Sequence, residues 1–444
     1  MGYLTNTVTA NSQVTASALG VLASGTPVTL SSTNWATLSS NSFLLPMIFE
    51  GIATGRCVIT FGFSSNSGPA VALSRPFYLD LKHVTDLYEH WTVGDDIITD
   101  WYQIPPKAAR TADSAVFGNP QKQEDLDYIL FVHGWRMQPW ERRAFASTAY
   151  KRLWHLGYKG RFGLYSWPTD WTSTSPWDMT TQYNRQNYDR SEQRAWNASW
   201  GLWRLLMDLN TRQSGRVRMI AHSMGNITAS EALRFRGLNP NKPPLVQGYI
   251  ASQAASVAFA YDAVHPEDVG TFGIFTPEVY AEFPRGNATN VYFTGMKNAV
   301  QRDQNLNPRI INFHNKQDYA LNSTFAWPAN QLFKPDVNYS YHIFEGTWWR
   351  NLMVHTELFL TTDQWEIFAH IAQARSKALG CSEDPSHQVR GEIGGSVDLN
   401  ATPFNYGKND YEHSAEFNSI NMNRRSYWWQ VLSTFSLTNT LPNP

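Results

Sequence analysis

Cysteine is scarce in this chain, and net charge is almost absent. Two cysteines, Cys57 and Cys381, occur in 444 residues, which is too few for a disulfide framework or a cysteine-based metal site. We expect two unrelated thiols, and one long-range disulfide is the alternative. The formal charge of −1 gives the molecule no overall attraction to nucleic acid or to an anionic membrane. We therefore expect no nucleic-acid partner.

Long hydrophobic runs are also absent. No stretch reaches the roughly 18 consecutive apolar residues of a membrane-spanning helix, so we predict no transmembrane segment. The first residues, MGYLTNTVTANSQ, show neither the basic start nor the apolar centre of a signal peptide. The chain has no HExxH motif and no cluster of histidines and carboxylates at ligand spacing, which disfavours metal-dependent hydrolysis. We expect neither a metal nor a cofactor.

The first quarter of the chain has the composition of an accessory module. Residues 1–105 are rich in Ser, Thr, Asn and Gly and contain alternating runs such as RCVITFGFSS. This pattern predicts antiparallel strands in a small all-β, sandwich-like domain. Residues 106–124 are interpreted as a linker. The Ser/Thr-rich module leads us to expect a secreted or cell-surface bacterial protein.

Residues 125–444 show a different pattern, in which apolar strands alternate with long helices. DYILFV and VRMIA are nearly continuous apolar strands, and a long amphipathic helical pattern between them closes at Gly215. Apolar strands alternating with helices indicate a parallel sheet that is covered on both faces. We predict an α/β domain with a doubly wound, mostly parallel sheet.

Ser223 stands at the point where one of these strands meets a helix. The strand VRMIA runs into AHSMG, and the helix-forming run ITASEALRF follows. Small residues two places before and two places after a nucleophilic serine allow a strained turn between strand and helix. Ala221 and Gly225 meet that requirement. The alternative is a serine that only caps the helix.

A serine hydroxyl needs a base and an orienting acid to act as a nucleophile at neutral pH. For the acid we favour Asp318, which lies just past the C-terminal end of the predicted strand RIINF; a turn-capping role is its alternative. Asp363 is a weaker candidate because it has the spacing of a helix start, with Glu366 three residues later.

Several C-terminal histidines compete for the role of base. His413 is our choice because it lies directly before the last predicted helix, on the loop where a base belongs. His355 is the next candidate, and His370 lies inside a helical run, where simple packing explains it. His222 beside the serine is expected to point away and to be structural.

The segment HGW, residues 133–135, follows the first strong strand of the α/β domain. Two backbone N–H groups are needed to stabilise the negative charge that develops when a serine attacks a carbonyl. We predict that Met224 and Trp135 supply them and that His133 and Gly134 shape the loop and bind substrate. A simple Gly turn is the alternative for Gly134.

HGW, AHSMG, NKQDYAL and EHSAEF, in this order, resemble the α/β-hydrolase family over about residues 125–444. The alanine-first elbow is similar to that of small secreted bacterial lipases. The resemblance implies a Ser223, Asp318 and His413 triad acting on a carbonyl, most often an ester, without a cofactor. The chain departs from a minimal family member in its N-terminal module and in a stretch at 347–408, which we interpret as an insertion forming a lid or a pocket wall.

Tryptophans follow several strand ends on the same side of the predicted sheet. We expect Trp140, Trp167 and Trp171 to bind substrate, because aromatic walls favour apolar or aromatic groups or stacking on sugar rings. Packing within the loops is the alternative for each of them. The expected substrate is a small-molecule or polymeric ester; the sequence does not predict an oligomeric state.

Other reactions share this fold. Amide or peptide cleavage and acyl transfer use the same triad and remain alternatives to ester hydrolysis. A catalytically silent surface-binding protein is the alternative from another class. Epoxide and haloalkane chemistry are disfavoured, because at the family level they place an aspartate where Ser223 stands.

Overall fold

The computed structural model describes the central sheet, the helices on its faces and part of the N-terminal region. The described residues are 55–60, 62–64, 70–81, 83–94, 109–112, 127–158, 160–169, 182–237, 241–256, 261, 296–302, 304, 309–318, 321, 379–381, 394–407, 412–417 and 422–437.

The strands fall into one large sheet and two small antiparallel pairs. In chain order they are β1 Gly55–Ile59, β2 Gly62–Ser64, β3 Ala70–Leu73, β4 Phe77–Leu81, β5 Glu89–Thr92, β6 Ala109–Ala112, β7 Tyr128–Val132, β8 Arg161–Ser166, β9 Val217–His222, β10 Gly248–Ser252, β11 Ile310–His314 and β12 Gly395–Asp398. β1 pairs with β4 and β2 with β3, both antiparallel, as the alternating pattern of this region predicts.

The large sheet has eight strands in the order β12-β11-β10-β9-β7-β8-β5-β6. All neighbours are parallel except β6, which runs antiparallel to β5. From β7 the chain moves to one side to form β8 and then returns to the other side to form β9. Ligands bind in the crevice beyond the carboxyl ends of strands at such a reversal, so the topology points to the ends of β7 and β9.

Among the described residues, four helices cover the sheet: α1 Pro139–His155, α2 Gln182–Arg212, α3 Gly225–Gly237 and α4 Met422–Thr434. α1 begins at a proline, whose missing N–H costs nothing at that position, and the Glu141 carboxylate accepts the backbone N–H of Gln138 at 2.8 Å. α2 buries leucines at helical spacing, namely Leu202, Leu205, Leu206 and Leu209. Within the described residues, no helix has the length and apolarity that crossing a bilayer requires.

Both faces of the central strands are buried, which explains why β7 and β9 are nearly continuous apolar runs. On β7 the side chains of Tyr128, Leu130 and Val132 enter one hydrophobic cluster, with α2 and α3. The alternate residues Ile129 and Phe131 enter a second cluster, with α1 and α4. Successive strand residues point to opposite faces, so a single apolar strand supplies two cores. The fold is the doubly wound α/β fold that the sequence predicts.

β5 and β6 lie on either side of the division proposed at residue 105, yet both belong to the large sheet. The Glu89 carboxylate of β5 is fully buried, pairs with Arg161 of β8 and accepts the Tyr128 hydroxyl at 2.8 Å. A buried charge is tolerated only with such partners, so these contacts attach β5 to the sheet. The division at residue 105 remains a prediction.

β12 lies inside the stretch 347–408 that the sequence analysis interprets as an insertion. It pairs in parallel with β11, for example Asn312 with Ser396, and among the described strands it lies at the edge of the sheet. The number of residues between the end of this strand and His413 is therefore small. The segment YSYHIFEG, which the sequence pattern suggests as the last strand, lies outside the described residues, as does most of the proposed lid.

Candidate active site

Ser223 lies in the turn between β9 and α3, with a backbone φ of 53°. Left-handed backbone is costly for a residue with a side chain, and neighbouring groups hold it in place. The Ser223 N–H donates to the carbonyl oxygen of Ser252 at 3.0 Å, and its own carbonyl accepts the N–H groups of Asn226 and Ala255 at 3.1 Å each. The nucleophile candidate is thus tied to the end of β10 as well as to its own helix.

Two glycines allow the backbone to pass closely around this turn. A Cβ on Gly225 would lie 2.3 Å from the carbonyl oxygen of His133, and a Cβ on Gly134 would lie 2.9 Å from the Ser223 Cβ. Real Cβ atoms do not approach other atoms this closely, so both positions require glycine. The loop after β7 therefore packs directly against the serine.

The Asn226 side chain hydrogen-bonds the backbone of the turn that contains Ser223. Its side-chain amide donates to the carbonyl oxygens of Ala221 and Ser223 at 3.0 and 2.9 Å, and its side-chain oxygen accepts the Tyr249 hydroxyl at 2.6 Å. All of these groups are buried, so each hydrogen bond satisfies a group that water does not reach. Asn226 stands three places after the serine, but no feature of its sequence context predicts this role.

Asp318 lies just beyond the carboxyl end of β11 and is completely buried. Its backbone N–H donates to the carbonyl of Asn315 at 2.9 Å, and its Oδ1 accepts the Leu321 N–H at 3.3 Å. Its Oδ2 accepts the Gln253 side-chain amide at 2.7 Å. Leu321 and Gln253 therefore give the carboxylate one donor on each oxygen, in addition to His413.

His413 lies in a short 3-10 turn, Glu412–Phe417, between β12 and α4. Its Nδ1 is 2.6 Å from Asp318 Oδ2, and its Nε2 is 2.8 Å from Ser223 Oγ. These distances place the proton on Nδ1, which donates to the carboxylate, and leave Nε2 to accept the serine hydroxyl. The structure thus brings the three residues chosen from the sequence into one hydrogen-bonded row.

The surroundings of His413 act on its imidazole in opposite directions. Burial alone lowers the pKa of this group, but the Asp318 carboxylate attracts and hydrogen-bonds the proton, and Glu416 adds negative charge nearby. The attraction prevails, so the pKa of His413 lies above its ordinary value of 6.5. A more basic imidazole is better able to remove a proton from a hydroxyl.

His222 has a role that the sequence analysis did not foresee. Its Nε2 donates to the backbone carbonyl of His413 at 2.7 Å, and the two rings lie 5.1 Å apart. Burial lowers the pKa of His222 to about 3, so its imidazole is neutral near pH 7. The neutral ring lies 3.7 Å from the buried Glu416 carboxylate, so it is an uncharged neighbour of that group and not an ion-pair partner. The sequence predicts that this side chain points away, whereas its Nε2 points toward the backbone of His413; its structural role remains a prediction.

The loop after β7 is built around His133. The backbone N–H of Trp167 donates to His133 Nε2 at 3.1 Å, so Nδ1 carries the proton and donates to the Gly134 carbonyl at 2.8 Å. Burial and nearby Arg142 hold the pKa of His133 well below its ordinary value, which keeps the ring neutral. The Trp167 indole stacks on this ring at 5.3 Å and donates to the His133 carbonyl at 2.8 Å.

These contacts correct two substrate assignments. His133 and Trp167 are completely buried and shape the loop, so neither offers a surface to substrate. Trp135 is half-buried and packs against the adjacent cluster. Trp140 lies in the first turn of α1, is 39% exposed and donates its indole N–H to Gln138 at 2.8 Å. Trp171 lies outside the described residues.

The competing candidates for acid and base, Asp363, His355 and His370, also lie outside the described residues. Gln253 and Glu416 are further residues that sequence reasoning missed. Each stands near a motif that was recognised, because Gln253 follows the strand GYIAS and Glu416 belongs to EHSAEF. In the part of the chain that the structure describes, no group of three His, Cys, Asp or Glu side chains is placed to hold a metal ion.

A doubly wound sheet with a serine elbow after a central strand defines the α/β-hydrolase fold, and this chain has that fold. The family described as "Alpha/beta hydrolase of unknown function (DUF900)" matches residues 109–253. The matched segment contains β7, the HGW loop, Ser223 and Gln253, whereas Asp318 and His413 lie beyond it. No curated protein and no solved structure matches the chain.

Proposed function

We propose that this α/β hydrolase is a serine hydrolase that cleaves carboxylic esters through an acyl-enzyme intermediate. The observation that carries the proposal is the hydrogen-bonded row from Ser223 Oγ through His413 to Asp318, with distances of 2.8 and 2.6 Å. In such a row the base is within reach of the proton it must remove, and the acid keeps the base in the required tautomer.

In the first step His413 Nε2 takes the hydroxyl proton while Ser223 Oγ forms a bond to the ester carbonyl carbon. The imidazolium that results is stabilised by Asp318, which is already its hydrogen-bond acceptor. The tetrahedral intermediate then collapses: the bond to the alcohol oxygen breaks, and His413 transfers its proton to that oxygen. The products of this half-reaction are the free alcohol and an ester of Ser223.

The negative charge on the tetrahedral oxygen needs donors that are in place beforehand. We assign this role to the backbone N–H groups of Met224 and Trp135. Met224 directly precedes the start of α3 at Gly225, where the helix dipole is positive. Trp135 follows Gly134, which packs against the serine. Both amides thus belong to backbone that lies beside Ser223.

Water completes the reaction in the second half. His413 removes a proton from water, the hydroxide oxygen attacks the acyl carbon, and Ser223 leaves with the proton returned by His413. The acid product is released and the enzyme is restored. Each proton taken is given back, so no cofactor is needed for the balance of atoms or charge.

The proposal is tested with short- and medium-chain p-nitrophenyl esters and with a fluorophosphonate that labels reactive serines. We expect hydrolysis by the native chain and labelling that peptide mapping places on Ser223. Ser223→Ala should lose hydrolysis at least about 1,000-fold and all labelling. Ser147→Ala removes a buried serine on α1 and serves as the matched control that should retain both.

Two results would overturn the proposal. A native chain that is folded, cleaves none of the esters and leaves Ser223 unlabelled is the outcome expected of a silent binding protein. Matched p-nitroanilides provide the second comparison, because faster cleavage of the anilide than of the ester with the same acyl group indicates an amidase working with the same triad.

A further inference from the structure

Gln253 follows β10 directly and is completely buried. Its side-chain Nε2 lies 2.7 Å from Oδ2 of Asp318, the oxygen that also accepts Nδ1–H of His413 at 2.6 Å. One carboxylate oxygen therefore receives two donors, one from the base and one from a neutral amide.

The backbone of Gln253 is held so that its side chain has little choice of direction. Its φ is 40°, a left-handed value that persists only when neighbouring groups enforce it. Its N–H donates to the Phe313 carbonyl of β11 at 2.8 Å. Gly380 closes the other side, because a Cβ there would lie 2.2 Å from the carbonyl carbon of Gln253 and 2.1 Å from the nitrogen of Ala254.

We infer that Gln253 is a positioning residue that fixes the orientation of the Asp318 carboxylate toward His413. The inference rests on the proposed function, since it concerns the acid of the same triad. With Leu321 N–H on Oδ1 and Gln253 on Oδ2, the carboxylate cannot rotate without losing a buried donor, which is costly. Oδ2 then stays in line with the imidazole whether or not His413 is protonated.

An amide suits this role better than a charged donor. A lysine or arginine at this position would pair with Asp318 and weaken its attraction for the imidazolium of His413. The neutral amide of Gln253 orients the carboxylate and leaves its full charge available to His413. The arrangement separates two tasks, because orientation comes from Gln253 and charge from Asp318.

The first test replaces Gln253 by residues of the same length. Gln253→Met keeps the shape and removes the donor; Gln253→Glu replaces the donor by a carboxylate beside Asp318. We expect Gln253→Met to lower kcat and the fluorophosphonate labelling rate about 10- to 100-fold, the value of a hydrogen bond to a charged group, with KM little changed. Gln253→Glu should be slower still at pH 8.

Gln213 provides the matched control. It is also completely buried, but it lies between α2 and β9, at the opposite edge of the sheet. Gln213→Met and Gln213→Glu therefore report what the same changes do to a buried glutamine away from the site, and both should keep the native labelling rate when folded. If Gln253→Met does not fold, Gln253→Asn, whose amide falls one carbon short, takes its place.

Two readouts separate positioning from general support of the fold. The proton on His413 Nδ1 should give a far-downfield ¹H NMR resonance in the native protein, and this resonance should weaken or move in Gln253→Met while the rest of the spectrum is retained. In an Asp318→Asn background, Gln253→Met should cost little more labelling, because two residues that act through one group are not additive.

The outcomes distinguish the inference from the function on which it rests. Absence of labelling at Ser223 in the native chain would contradict the proposed function. The downfield resonance would then still report whether Gln253 orients Asp318. A native chain that labels at Ser223, with Gln253→Met equally fast and the resonance unchanged, overturns the positioning role. Additive losses in the Asp318→Asn background overturn it as well.

Discussion

His222 and His413 are joined by a hydrogen bond of 2.7 Å from the imidazole Nε2 of His222 to the backbone carbonyl of His413. His222 is the last residue of β9 and precedes Ser223, so the strand that presents the proposed nucleophile also holds the backbone of the proposed base. The bond spans 191 residues of sequence. The spacing between serine and imidazole is thereby set from one strand end.

Replacing His222 by phenylalanine keeps a ring beneath His413 and removes the donor. We expect the labelling rate of Ser223 to fall about 3- to 10-fold, the value of one neutral hydrogen bond, because the base loses part of its support. His90 offers the control: it also contacts a backbone carbonyl, that of Thr85 at 2.7 Å, but on β5. His90→Phe should label at the native rate, and an equal loss in both variants would contradict the assignment.

The buried neutral histidines should make the fold sensitive to acid. The pKa of His222 is lowered to about 3, and that of His133 also lies well below 6.5. Below pH 6.5 the unfolded chain binds protons that the folded chain excludes, so stability falls with pH until the folded groups titrate. The loss is at most about 1.4 kcal/mol per pH unit for each group.

Urea unfolding at pH 7 and pH 5 measures this effect. His222→Phe should lose about 2 kcal/mol less stability than the native chain over that interval, since one excluded proton is no longer involved. Each protein is compared with itself at the two pH values, so any change in stability that the substitution causes at both pH values cancels. If both proteins lose the same unfolding free energy between pH 7 and pH 5, His222 is already protonated in the folded chain at pH 5.

His413 should control the acid limb of activity. Its pKa is raised above 6.5, and the imidazole must be neutral to accept the Ser223 proton, so kcat/KM and labelling should fall as pH drops through a value above 6.5. Glu416→Gln removes one of the negative charges that raise this pKa. The inflection should then move to lower pH, and movement to higher pH would contradict the electrostatic assignment.

Gly225 should not tolerate a methyl group. Gly225→Ala would place a carbon 2.3 Å from the His133 carbonyl oxygen, so the end of β7 or the start of α3 has to move. We expect a loss of about 2–3 kcal/mol, typical of overpacking, together with loss of labelling. Gly407→Ala is the control, because a Cβ there meets nothing within 4 Å; its stability should stay within about 0.5 kcal/mol of native.

Much of this site could be predicted because its residues follow strongly apolar strands. VRMIAH and IINFH are buried along most of their length, so their hydrophobic runs are visible in the sequence, and the residues directly after them can be named. His413 could be placed because it precedes the last helix. The sequence also showed where glycine was needed, at Gly134 and Gly225, since the elbow motif itself expresses that close approach.

The parts that were missed lack such a signal. β12 has the sequence GSVD and is mostly half-buried, and β5 is EHWT, in which Glu89 is buried only because Arg161 and Tyr128 lie opposite it. Neither segment shows apolar periodicity. Partners from distant parts of the chain decide their structure, and a single sequence does not show which residues those partners will be.

Trp167 illustrates the same limit for a side chain. The sequence predicts its position after β8, at the carboxyl edge of the sheet, but it does not predict the direction in which the side chain points. The indole stacks on His133 and donates to the His133 carbonyl, so it faces the inside of the loop. Spacing along a chain locates a residue on an element, whereas the direction of a loop side chain depends on the neighbour that it meets.

The strand order separates the sheet into a reactive half and an attachment half. Ser223, Asp318 and His413 follow β9, β11 and β12, whereas β5 continues from the N-terminal strand pairs. β5 lies three positions from β9 and five from β11, or about 14 and 24 Å at the usual strand spacing. Substitutions in the segment before β5 therefore enter the sheet three strand positions away from the strand that precedes Ser223. The segment before β5 can therefore vary in sequence without displacing the strand ends that carry these three residues.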